Sequence, residues 1–259
     1  MKPIINTSKR IDASTRVEVF VLIIALSLLL GIALLSQVRL ANGGPAKWTG
    51  CVNNQKQLTL AFVIWANDHK IVDQGNLPWR VPRSRGGTEP DEGNRITFAW
   101  KEFLSISNEL PNPRVLVCPS DKERDDNQPK DWGTSRKGGF RHAKYRDNAL
   151  SYFLNLDCGI QTGQDGIFSG WELAQSQVLL GDRNLQVDAQ NVQCSSRINN
   201  ASRVITEPIW KNTKWTNAIH GFKGILAVVD GSVSMNNQSQ MEDLMRQSND
   251  DGSAHLLIP

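Results

Sequence analysis

The chain has 259 residues, with 29 basic and 26 acidic side chains and a net charge of +3. That balance gives no electrostatic footprint for nucleic acid, and no nucleic-acid motif is present. An apolar fraction of 39 % excludes a wholly disordered chain and allows one sizeable domain with long loops.

From Val19 to Leu35 the chain carries no charge. As a helix this run spans about 25 Å at a rise of about 1.5 Å per residue. It is longer than the apolar region of a secretory signal, and no small-x-small cleavage site follows it. The expectation is one membrane-spanning helix over 14–36. Lys9, Arg10 and Arg16 precede the uncharged run, and Arg39 and Lys47 follow it, a bias that favours a cytoplasmic N-terminus. The remainder, 37–259, is then expected outside the cytoplasmic membrane. Glu18 stands at the mouth of the apolar run. A carboxylate there either favours the positive end of the helix or awaits a cationic partner.

Ala41-Asn42-Gly43-Gly44-Pro45 punctuates the chain, so a bend or stop is expected there. Cys51 to His69 reads as helix, with Leu58, Ala61, Phe62 and Trp65 on one face and Asn53, Gln55, Lys56 and Asn67 facing water. Asn76 to Asn94 reads as loop, and Phe98 to Leu104 as a short helix. Arg114 to Cys118 reads as a strand stopped by Pro119, and Ser120 to Gly139 as an exposed polar loop. Leu150 to Leu156 is a second strand; Val178 to Gly181 and Arg203 to Thr206 are shorter ones. Gly224 to Val229, then Asp230-Gly231, then Ser232 to Asn236 form a hairpin signal, with Asp-Gly suited to a tight type I′ turn. A short helix is expected around Met241 to Arg246.

Cys51, Cys118, Cys158 and Cys194 contain no Cys-x-x-Cys pair, which argues against zinc or dithiol redox chemistry. Four cysteines allow three complete pairings, and the sequence leaves the choice open. Cys158 with Cys194 is the pair preferred, because both lie in the loop-rich middle; free buried thiols are the alternative.

Other candidate sites have a plainer reading beside them. Asp121, Asp125, Asp126 and Asp131 offer oxygen ligands to calcium, but Lys122, Glu123, Arg124 and Lys130 interrupt them without EF-hand spacing. A solvated loop is expected, and no metal or cofactor is assigned. Arg136, Lys137, Arg141, His142, Lys144 and Arg146, interleaved with Phe140 and Tyr145, suit a polyanion, or a loop balanced by the preceding acids. Trp79, Trp132, Trp171, Trp210 and Trp215 sit in polar surroundings and suit sugar stacking, although burial is the default. His220 and Asp230 are separated by nine residues, about 30 Å if extended, which argues against direct contact. Asp230 is expected to make the turn and His220 to anchor the start of the strand. No G-x-S-x-G, H-E-x-x-H or phosphate-binding glycine loop is present, so no enzyme is expected.

Ser14-Thr15-Arg16-Val17-Glu18-Val19 resembles the start of a mature type IV pilin or type II secretion pseudopilin. Met1 to Ala13 would be the basic leader, and Glu18 falls on the family's fifth mature position. Ala13 stands where glycine is usual, and Ser14 where phenylalanine is usual. Four further segments resemble a secretion-protein-G-like subfamily with an H-x9-D-G motif. They are Cys51-Val-Asn-Asn-Gln-Lys-Gln-Leu, Val117-Cys-Pro-Ser-Asp121, Ser151-Tyr152 with Asn155, and His220 with Asp230-Gly231. The resemblance implies an α+β fold: an N-terminal transmembrane spine, then a globular head with an antiparallel β-sheet and long loops. It implies leader cleavage between Ala13 and Ser14, methylation of Ser14, and pairing of Glu18 with a neighbouring subunit's α-amine. The partners implied are other pilin-like subunits, secretion or pilus assembly machinery, prepilin peptidase and the lipid bilayer. The implied location is the bacterial inner membrane with an extracytoplasmic head, and the implied work is assembly into, or capping of, a secretion-type or pilus-type filament. The alternative is an anchored envelope module that binds a glycan or protein and never assembles.

Overall fold

The computed structural model describes residues 18–32, 43–69, 77–91, 98–163, 166–169, 174–187, 203–205, 213–248 and 254–259. The chain divides into two compact units, Met1–Ala46 and Lys47–Pro259. In the first, residues 18–32 form helix α1. Its large apolar side chains from Val19 to Ile32 are all more than half exposed. Ser27 spends its hydroxyl on the carbonyls of Ile23 and Ile24, at 2.8 and 2.9 Å, so the one polar side chain inside this run is satisfied locally.

The expected membrane span is corrected here. Among the described residues no helix is long and apolar enough to cross a membrane. The single-pass inner-membrane location falls with the span. The flanks of the expected 14–36 segment, and the leader, lie outside the described residues.

The second unit is α+β with an antiparallel sheet. Helix α2 (Gly43–Asp68) opens with Gly-Gly-Pro, so the punctuation starts a helix where a bend or stop was expected. Proline is tolerated in a first turn because the amide it lacks would be unpaired there. From Lys47 onward α2 belongs to the second unit. Leu58, Ala61, Phe62 and Trp65 are buried along one face, at the helical spacing read in the sequence. Helix α3 (Ala99–Ser105) follows. The expected strand over Arg114 to Cys118 is instead a 3₁₀ turn, Pro113–Leu116. Asn112 caps it by accepting from the Arg114 amide at 3.1 Å, and Pro113 pre-sets its first turn.

Among the described residues ten strands follow: β1 (Tyr152–Asn155), β2 (Ile160–Gly163), β3 (Gly166–Ser169), β4 (Val178–Asp182), β5 (Leu185–Val187), β6 (Arg203–Ile205), β7 (Thr213–Trp215), β8 (Gly224–Val228), β9 (Val233–Asn236) and β10 (Ala254–Leu257). Six build the main sheet in the order β6-β10-β1-β4-β8-β9, antiparallel throughout, while β2-β3 and β5-β7 are separate ribbons. Helix α4 (Gln238–Ser248) lies between β9 and β10 in the chain. A reciprocal cap starts it: Gln240 N–H donates to Asn237 Oδ1, and Asn237 N–H to Gln240 Oε1, both at 3.0 Å.

Strand alternation sorts the sheet into two faces. Tyr152, Leu154, Ile225, Ala227 and Leu257 join the larger core with the buried stripe of α2. Phe153, Val178, Leu226, Val228 and Leu256 face the other way, against Met241 and Met245 of α4. Leu179 and Leu180 both belong to the larger core, since the β4–β8 register shifts between Val178 and Leu180. The unit is therefore helix, sheet, helix, with the long helix over one face.

The hairpin is present, but its turn differs from type I′. Of its two central residues only Gly231 takes a positive φ, +89°. Gly231 N–H donates to Val228 O at 3.0 Å, and Val228 N–H to Ser232 O at 2.9 Å, leaving a longer loop with glycine in the left-handed position. Gly224, at the start of β8, serves close approach: a Cβ there would sit 2.3 Å from the ring of Trp215. Gly224→Ala is expected to lower the unfolding free energy by about 1–3 kcal/mol through overpacking, measured by urea denaturation.

Candidate functional site

The site grows from one buried acid. Asp182 ends β4, where its backbone pairs with Tyr152 of β1, and its side chain is fully buried toward α2. Gln55 of α2, also fully buried, donates from Nε2 to Asp182 Oδ1 at 2.9 Å and to Ile225 O at 3.2 Å. The Ile225 amide donates to Asp182 Oδ2 at 2.7 Å. On the same side His220, in the loop before β8, brings Nε2 to 3.4 Å from Asp182 Oδ2 and 3.5 Å from Cys118 Sγ. Cys118 is bonded to Cys51, one helical turn before Gln55. One helix, one strand end, one loop and one 3₁₀ turn thus converge on a single buried cluster.

Burial pushes the Asp182 carboxyl up to about 8, although the hydrogen bonds from Ile225 and Gln55 oppose the rise. Burial lowers His220, with the Asp121 carboxylate opposing. Both shifts favour a neutral pair near neutral pH. Burial and the nearby Asp182 charge also hold the Tyr152 phenol well above its usual range. A second layer is ionic. Buried Asp121 accepts from Arg183 at 2.8 and 2.9 Å and from the Ser151 hydroxyl at 2.8 Å, and Arg183 also reaches Glu123 at 2.6 Å. Asn54 Nδ2 donates to Val117 O at 3.0 Å, holding the segment of Cys118 against α2.

Several expectations change here. The bridge joins Cys51 to Cys118; Cys158 is a free thiol, buried, with its pKa raised by that burial. Cys194 lies outside the described residues. The preferred Cys158–Cys194 pair is thus replaced, because Cys51 on α2 and Cys118 after the 3₁₀ turn are brought together by the core. Asp121 is no solvated loop residue: both its oxygens are committed to Arg183 and Ser151. Asp125 and Asp126 are exposed in a 3₁₀ turn, Asp125–Asn127. Gln55, expected in water, is a core ligand of Asp182.

His220 makes its contacts with Asp182 and Cys118, while Asp230 accepts from the Ser232 amide at 2.8 Å and shapes the turn before Gly231. Glu18 is the first described residue of α1 and is exposed; Ala13 and Ser14 lie outside the described residues. Trp79 and Trp215 are buried and Trp132 is half-buried, as the default reading expects; Trp171 and Trp210 are not among the described residues. In the basic stretch Phe140 and Tyr145 are buried, and Arg146 places its guanidinium 4.7 Å from the Trp100 ring centroid.

No family model, curated protein or solved structure matches this chain. The chemistry of the cluster therefore stands on its own geometry. Asp182 was missed in the sequence; its only signal is an acid closing the apolar run Val178-Leu179-Leu180-Gly181.

The sign of the pH dependence follows from the Asp182 shift. The folded state keeps a proton that the unfolded chain, at 3.8, releases earlier. The stabilisation is complete below 3.8 and is lost as pH rises toward about 8. The His220 contribution runs the other way: it is present above 6.5 and lost as pH falls through the lowered folded value. Between 6.5 and about 8 the Asp182 slope should dominate, with stability falling by about 1–2 kcal/mol. Asp182→Asn is expected to flatten that slope in urea titrations across the window. Removing the bridge, by Cys51→Ala with Cys118→Ala, should cost about 2–5 kcal/mol in the same assay.

Proposed function

We propose that this chain is a pilin-like assembly subunit of the secretion-protein-G-like kind, whose partners are further pilin-like subunits and their assembly machinery. The observation that carries the reading is α1: its large apolar side chains are more than half exposed, and one acid, Glu18, stands immediately before their run. Burying one such side chain is worth about 1.5–3 kcal/mol, so a row of them favours a helical partner of the same kind. A carboxylate carried into that apolar contact is costly unless a cation meets it. With the leader removed after Ala13, the new α-amine of a neighbour's Ser14 is the cation of the right charge and place in the chain. Glu18 then sets the axial register between subunits.

The second unit lends support in a different way. The four segments that resemble the H-x9-D-G subfamily are far apart in the chain. Gln55 and His220 nevertheless contact Asp182, Tyr152 pairs with its backbone, Cys118 joins His220 to Cys51, and Asp121 holds Ser151 nearby, while Asp230-Gly231 makes the hairpin turn. A motif set that builds one packing unit is a natural signature of a shared head.

Mass spectrometry of the full chain from its native host is expected to find a mature N-terminus at an N-methylated Ser14. Glu18→Ala is expected to reduce recovery of sedimentable filaments at least tenfold while leaving the thermal unfolding of the second unit unchanged. An intact Met1, or assembly indifferent to Glu18, would overturn the reading.

A further inference from the structure

The cluster around His220 has a donor set that filament assembly does not use. Cys51 Sγ, Cys118 Sγ and His220 Nε2 all lie within 4.8 Å of one another. Asp182 Oδ2 is 3.4 Å from the same Nε2. Two sulfurs, one imidazole nitrogen and one carboxylate oxygen are the ligand types of a four-coordinate zinc site. Ligands at about 2.0–2.3 Å from a tetrahedral centre lie roughly 3.3–3.8 Å apart, matching the 3.4 and 3.5 Å separations of His220 from Asp182 and Cys118. Outer contacts are also present: the carboxylate is oriented by Gln55 Nε2 and the Ile225 amide, as ligating carboxylates are.

As a disulfide the two sulfurs carry no thiolate charge, so the oxidised protein offers a metal no more than His220 and Asp182. We propose that the reduced protein binds one zinc ion through Cys51, Cys118, His220 and Asp182, so that the bridge and the metal are alternative clasps between α2 and the segment after the 3₁₀ turn. The exchange balances with a dithiol as reductant. Its two thiols give two electrons and two protons and close to a disulfide, while the Cys51–Cys118 bond breaks to two thiols. Zinc then displaces both thiol protons and the Asp182 carboxyl proton to solvent, and the sulfurs separate to span the ion. Whichever clasp is closed, α2 stays tied to Cys118, so the head keeps its fold in an oxidising or a reducing compartment. This inference rests on the second unit alone and is independent of the assembly reading.

The test uses the full chain, reduced anaerobically with a phosphine and titrated with Co²⁺ and then Zn²⁺. The expected result is one equivalent of Co²⁺ per chain. It should show a thiolate-to-cobalt charge-transfer band and tetrahedral visible bands, both bleached by Zn²⁺ and both absent from the oxidised protein. Cys158→Ser is expected to leave the spectrum unchanged. His220→Ala, folded in its oxidised form by circular dichroism, should weaken zinc binding at least tenfold when reduced. Gln55→Ala, at a residue that positions Asp182 without reaching the ion, should weaken it by about 10–100-fold in protein shown to be folded when oxidised. A reduced chain that unfolds and is refolded by zinc also supports the site. The proposal is overturned if the reduced chain shows no thiolate band, if zinc fails to restore a reduced chain that has unfolded, or if the band survives Cys51→Ser with Cys118→Ser. Zinc affinity unchanged in His220→Ala would overturn it as well.

Discussion

The carboxyl of Asp182 is where the long helix is fastened to the sheet. A carboxylate moved without compensation into a protein interior costs many kilocalories, so it is either paired or neutralised. Here both remedies operate. Burial holds its pKa near 8, while Gln55 from α2 and the Ile225 amide from β8 reach its two oxygens. Because Gln55 also reaches Ile225 O, one amide spans the helix and two neighbouring strands. Sliding α2 by one turn would strip Asp182 of this amide partner, since the residues one turn away are Cys51 and Thr59. Leucines of the core are interchangeable in a way that this contact is not, so the polar cluster selects one register from several that would bury similar area.

The bridge and the ionic layer extend this fastening along the chain. Cys51 and Cys118 are 67 residues apart in sequence, and closing a loop of that length removes substantial freedom from the unfolded chain. Asn54 adds a hydrogen bond to Val117 O beside it. Just past the bridge, Asp121 binds Ser151 ahead of β1 and Arg183 after β4. The segment of Cys118 therefore connects α2, β1 and β4 without being a strand itself. Its backbone turns as a short 3₁₀ helix that delivers its side chains to the helix and to the sheet.

Much of the second unit was legible in the sequence because it follows short-range rules. Leu58, Ala61, Phe62 and Trp65 at helical spacing marked the buried face of α2, and the apolar runs around Tyr152, Val178 and Gly224 marked three central strands. What could not be read depends on tertiary neighbours. Arg114 to Cys118 has strand-like composition, yet Pro113 and the Asn112 cap commit it to a 3₁₀ turn. Gln55 looks like a water-facing residue until the partner across the interface is known to be an acid. The cysteine pairing is of the same kind, since nothing local in Cys51 or Cys118 announces the other. The hairpin was found because Asp-Gly is a local signal, but its turn type was not: Asp230 keeps a negative φ by using its side chain on Ser232.

The two units illustrate opposite fates for apolar side chains. Among the described residues of the second, most large ones are buried, and the acids Asp182 and Asp121 left inside are held by hydrogen bonds and by Arg183. In the first, α1 exposes a continuous apolar surface, and its only internal polar side chain, Ser27, is folded back onto its own carbonyls. Past Glu18, a helix that satisfies its own hydroxyl and displays hydrocarbon gains little further from water. Its free energy falls only when another apolar surface covers it, whereas the second unit, tied internally by a buried acid and a covalent bridge, has no such need.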